Sequence, residues 1–133
     1  TKATGIIVKP STYFRTIQFH ELHQFYPMRA VVTDKYKLIW NLAYQLPKQK
    51  FNGKGDVIPN AVYEKKLKYC GKRKVKDLIN RPEIELYDIR KDSAEVKNLA
   101  YKKQHKKLVK ELKEKIITFQ KNTGDPFLKL NLD

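Results

Sequence analysis

The stretch that most limits what this chain can become is residues 28–43, MRAVVTDKYKLIWNLA. Two runs rich in β-branched and aromatic residues, at 30–32 and 36–42, flank the short polar break Thr33-Asp34-Lys35. Such side chains suit the pleated, half-buried surface of a sheet, and so short a break leaves room only for a tight turn. The segment therefore predicts an antiparallel hairpin. Upstream, YFRTIQFH (13–20) alternates Phe14, Thr16 and Gln18 with Tyr13, Arg15, Ile17 and Phe19, the period of a further strand. Downstream, IELYDI (84–89) reads as another strand after a bend at Arg81-Pro82.

The last third changes period. In KKQHKKLVKELKEKIITFQKN (102–122), Leu108, Val109, Leu112, Ile116 and Phe119 fall at the spacing of one helix face. Lys and Glu fill the rest, with Glu111 and Lys115 placed to pair one turn apart. Gly124 is a fitting C-terminal stop, and Pro126 follows it. The expected class is α+β: a small antiparallel sheet of about four strands packed against a C-terminal amphipathic helix. A length of 133 residues fits one domain with a modest core. No run approaches the roughly 18 apolar residues of a membrane helix.

Two regions resist this reading. Residues 47–60, PKQKFNGKGDVIPN, hold two Pro, two Gly and two Asn, and read as a loop. VYEKKLKYCGKRKVKDLIN (62–80) is ambiguous: it could start as a helix, but Gly71 interrupts it. Positions 65–76 carry seven Lys or Arg and no acid, within a basic excursion near 47–80. Over the whole chain 29 basic residues face 14 acidic ones, a net +15 that favours anionic partners or simply a soluble surface. Tyr63 and Tyr69 stand near the lysines, as in a cationic track for single strands. No zinc finger, RNP-type motif or base-reading helix accompanies them, so no specific nucleic-acid partner is expected.

The densest chemistry lies in HELHQFYPMR (20–29). His20 and His23 point to opposite faces if extended, and converge only in a loop, so a self-contained metal site is not the main expectation. The single cysteine, Cys70, sits among basic residues, but no histidine neighbours it in sequence, and nucleophilic catalysis is not expected of it. Gly-rich phosphate loops, HExxH and GxSxG are absent. The chain does not read as a complete enzyme.

Four pieces in order carry a resemblance. They are HELHQFYPMRAVVTDKYKLIWNL (20–42), RPEIELYDIRKDSAEVKNLA (81–100), the amphipathic helix, and FQKNTGDPF (119–127). Together they resemble the C-terminal subdomain of type I sulfatases of the alkaline phosphatase superfamily, closest to the heparan N-sulfatase (sulfamidase) branch. Glu85, Leu86, Tyr87, Asp88, Asp92, Glu95, Asn98, Leu99 and Ala100 stand in the places of the family signature, with Ser93 where Pro is usual. The likeness covers nearly the whole chain and is weakest over the basic excursion.

The resemblance implies a four-stranded sheet with a long helix, and scaffold roles for the signature. Ser93 is then a candidate N-cap for a short helix that Asn98 closes, with Leu99 buried. It further implies that 1–133 is a fragment whose N-terminal catalytic domain lies elsewhere. The family hydrolyses sulfate esters or sulfamates with a formylglycine and a bound calcium, expected in that missing domain and not here. The one related stretch, CGKRK, has Lys72 and Lys74 where the formylglycine motif needs Pro or Ala and Arg.

On this reading His20, Glu21 and, as an outside candidate, His23 bind substrate at the domain junction. The alternative for His20 and Glu21 is a polar strand end with no substrate contact. Arg29 is expected to brace its strand or to meet an acid of the missing domain. The substrate would be a sulfated glycan such as heparan sulfate. The compartment would be lysosomal in animals and periplasmic or secreted in bacteria. The rival reading is an autonomous basic module for glycosaminoglycan or nucleic acid. The chain does not open on Met, as expected of a processed protein or an excised piece.

Overall fold

The computed structural model describes residues 12–19, 25–45 and 65–131. In chain order these form β1 (Thr12–Phe19), β2 (Phe25–Thr33), β3 (Tyr36–Asn41), β4 (Tyr69–Cys70), β5 (Arg73–Lys74), α1 (Val75–Ile79), β6 (Ile84–Asp88) and the long helix α2 (Lys106–Thr123). Short 3-10 turns precede α2 at Lys103–His105 and follow it at Leu128–Asn131. The main sheet has four strands in the order β1-β2-β3-β6, and every pair is antiparallel.

The hairpin forms where its pattern places it. Val31 lies opposite Leu38 and Arg29 opposite Trp40. Neither Asp34 nor Lys35 takes a positive φ, so the turn is not the mirror-image kind that asks for Gly or Asn. The Thr33 hydroxyl holds it instead, accepting the Tyr36 N–H at 3.0 Å and donating to the Tyr36 carbonyl at 3.1 Å.

Period two then divides the sheet. One face carries Val31, Leu38, Trp40, Ile84 and Leu86, and receives Leu112 and Ile116 of α2. Val31, Leu38, Leu86 and Ile116 are wholly buried there. Leu108 and Val109 pack at the margin of this core, and Phe119 stacks on Phe14 with ring centroids 4.5 Å apart. All five residues of the expected helix face therefore meet the sheet. The opposite sheet face presents a smaller cluster of Met28, Ala30, Ile39 and Tyr87. The helix ends on Gly124 in the left-handed region (φ 65), whose N–H reaches the Gln120 and Lys121 carbonyls. Glu111 lies nearest Lys107, at 4.0 Å, one turn before the expected partner Lys115.

The ambiguous 62–80 stretch resolves over its described part. Gly71, at φ 59, turns the chain so that Tyr69 pairs with Lys74 and Cys70 with Arg73. Helix α1 follows and buries Leu78 beside Cys70, Val75 and Ile79. The loop expected at 47–60 lies outside the described residues.

Residues 92–98 differ from expectation. No short helix forms there, and Ser93 caps nothing. Asp92 is the capping residue, accepting the Val96 and Lys97 N–H groups at 3.0 and 2.8 Å. A carboxylate folded back on two amides offers the backbone an alternative to helix. Glu95, at φ 55, breaks the helical run as well. Leu99 is half-buried, and its N–H donates to the Leu86 carbonyl at 2.8 Å.

Candidate functional site

His20, Glu21 and His23 lie outside the described residues. Their neighbourhood enters the structure with β2, and its first well-defined polar feature is Arg29. Strand alternation turns Arg29 to the helix face, where it is only 2% exposed. Its guanidinium grips Asp125 with two bonds, Nε to Oδ2 and Nη2 to Oδ1 at 2.7 Å. It also donates to the Met28 carbonyl and lies over the Phe127 ring. Asp125 sits just past the Gly124 stop and further accepts the Gln120 side chain and the Phe127 N–H. The Arg29 hydrogen bond, opposed by burial and aided by the Phe127 amide, holds the Asp125 carboxyl down at about 2. The expectation that Arg29 could serve an acid of another domain is thereby corrected: the carboxylate it meets is in this chain.

A second polar cluster occupies the other sheet face. Glu85 is 1% exposed. One oxygen accepts Asn41 at 2.8 Å and Arg81 at 3.3 Å; the other accepts the Tyr87 hydroxyl at 2.6 Å and Arg73 at 3.3 Å. Burial alone would raise this carboxyl, but Arg81, the Tyr87 and Asn41 hydrogen bonds, and Arg73 outweigh it and the net shift is downward. Burial, then the charge and hydrogen bond of Glu85, push the Tyr87 hydroxyl up. A carboxylate kept ionised with both oxygens occupied is a poor general acid or base, and a phenol so raised is a poor nucleophile. The cluster braces β3, β5 and β6 against one another. The Asn41 amide oxygen has no partner among the described residues.

Asn98 shows how the signature works. Its side-chain oxygen accepts the N–H groups of Leu86 and Ala100, each at 2.9 Å, and its amide donates to the Ile84 carbonyl at 3.0 Å. It thus continues the ladder along the outer edge of β6, where backbone groups would otherwise lack partners. Asn98 was expected to close a helix; it seals a strand.

The remaining candidates do not assemble a reactive centre. Cys70 is half-buried against the α1 cluster. His105 precedes α2 and meets the Tyr36 ring edge-on at 6.0 Å. Among the described residues no three His, Cys, Asp or Glu converge on a metal position. No described helix is long and apolar enough to cross a membrane.

One concave feature stands out. A cleft of about 640 Å³ opens between the β4–β5 hairpin and the outer edge of β6. Lys72, Arg73 and Lys74 line one side, Asn98 and Val96 the other, and Glu85 with Tyr87 the floor. The lysine run is visible in the sequence as charge, but nothing in its spacing says that it folds over Glu85. No protein-family model matches this chain, and no curated protein matches its sequence.

Proposed function

We propose that this chain is the C-terminal subdomain of a type I sulfatase, nearest the heparan N-sulfatase branch, inactive alone. In the whole enzyme it would shape the substrate pocket for sulfate esters or sulfamates on a glycosaminoglycan. One observation carries the reading: the segments bearing the resemblance are physically joined into one scaffold. Arg29 of the YPMR segment grips Asp125 of the GDPF segment across 96 residues of sequence. Asn98 of the NLA segment seals the strand formed by ELYD. Residues that build a scaffold leave the chemistry to another domain, which would supply the formylglycine and the calcium. His20 and Glu21 would line the pocket by hydrogen bonding sugar hydroxyls or an amino group, which orients a substrate without reacting with it.

The test is sulfate release from an N-sulfated and an O-sulfated glucosaminide. It should be run with the complete product of the parent reading frame and with residues 1–133 alone. Turnover by the complete protein and none by this chain is expected. Turnover by neither, or by this chain alone, would refute the reading. In the complete protein, His20→Ala and Glu21→Gln should raise KM; unchanged KM and kcat would remove their pocket role. The second reading, an autonomous basic module, draws on the exposed lysines of 65–76. It would lead if the parent frame encodes no C-x-P/A-x-R motif upstream.

A further inference from the structure

We infer that the β4–β5 hairpin is a grip for a sulfated polysaccharide, with Tyr69 as the surface on which a sugar ring lies and Lys72 and Lys74 as its anion contacts. Tyr69 is 52% exposed and stands directly opposite Lys74 in the ribbon. These two residues form a wall shared by two hollows. One is the cleft over Glu85; the other, about 330 Å³, is completed by Lys68, Val75 and Lys76 and has no acidic residue in its lining. Lys68, Lys72, Lys74 and Lys76 are all exposed.

The floor of the first hollow does not oppose an anion. Glu85 is compensated by Arg73 and Arg81, leaving Asp77 as the one other acid of the lining. Adjacent hollows with a common aromatic and cationic wall suit a linear polyanion, successive units of which would fall on either side of Tyr69. The lysines supply compact charges for sulfate and carboxylate, without the planar fork of arginine. Among the residues lining the hollows Tyr69 is the one exposed ring, since Tyr87 is 3% exposed. A single-stranded nucleic acid calls for a ring per base. The apolar face of one pyranose needs only one.

The choice of sugar chain rests on the sulfatase reading, but the grip is measured by binding without turnover. A net +15 makes weak heparin affinity uninformative, so titrations use a heparin-derived octasaccharide at about 150 mM salt. Lys72→Ala with Lys74→Ala should weaken binding about tenfold and flatten its salt dependence. Lys110→Ala with Lys121→Ala, equal in charge and placed on α2, should change it less than about twofold. Tyr69→Ala should weaken binding about tenfold with the salt dependence kept, while Tyr69→Phe binds as the parent does. Equal loss from the two lysine pairs, or no loss from Tyr69→Ala, overturns the grip. Tighter binding of an oligothymidylate of matched charge through the same residues overturns the choice of sugar. Intact binding in a complete protein that releases no sulfate would sink the sulfatase reading and leave the grip standing.

Discussion

Asp125 shows how much one carboxylate can hold together. Its two oxygens meet Arg29 from the sheet and Gln120 from the helix, at a place where its own side chain is 5% exposed. Removing one partner of such a pair strands the other charge away from water, so Asp125→Ala should cost about 3 kcal/mol in urea unfolding. The sign of the pH effect follows from the depressed value. Asp125 sits at about 2 in the folded chain and 3.8 ordinarily. Its contribution, about 2 kcal/mol, is present above the ordinary value and lost as pH falls through the folded one. Asp125→Asn should therefore flatten the acid limb of the stability curve between about pH 4 and 2. Asn98 is the other residue with long reach. Asn98→Ala leaves the Leu86 N–H and the Ile84 carbonyl without their partners, and a loss of about 2 kcal/mol is expected, read by chemical unfolding.

Among the elements, α2 depends on its ends and its buried stripe. No acidic residue stands in its first turn, and His105 provides no side-chain cap, so the N-terminus gains little from its dipole. The C-terminus is well made. A Cβ on Gly124 would touch nothing within 4 Å, so Gly124→Ala isolates the backbone term alone. A loss of about 1 kcal/mol is expected from the left-handed conformation, measured by thermal unfolding. Ile116 is wholly buried against the sheet, and Ile116→Ala should cost about 3 kcal/mol through the cavity it leaves. A much smaller loss would mean that the helix is not what covers this face.

For the whole molecule, the sheet and α2 are one folding unit. Val31, Leu38 and Leu86 present a continuous apolar face that α2 covers. A chain ending at residue 105 should show no cooperative thermal transition and should bind a hydrophobic dye strongly. A sharp transition in that truncation would show that the sheet carries its own cover. The positive charge is distributed differently. Among the described residues the lysines of α2 and the β4–β5 hairpin are mostly exposed and act on association, whereas Arg29, Arg73 and Arg81 are paired with carboxylates within the fold.

The strands at 28–43, the strand before them and the helix face were all legible in the sequence, because each is set by periodicity within a few neighbouring residues. Gly124 was legible for the same reason: a left-handed stop is a local requirement. The Arg29 lock was not, since its partner lies 96 residues away and no local pattern links an arginine on a strand to an aspartate past a helix. Ser93 and Asn98 were misread at 92–98: the neighbouring Asp92 takes the free amides instead of Ser93, and the nearness of β6 gives the Asn98 side chain a strand edge to bond in place of a helix to close. The lysine run announced a charge without a shape. His20, Glu21 and His23 stand as proposals on resemblance. What the sequence by itself determined was the set of elements and the faces they bury, since hydrophobic period acts over short range. The tertiary structure alone decided which polar groups meet, because a buried charge takes the partner that packing brings within reach.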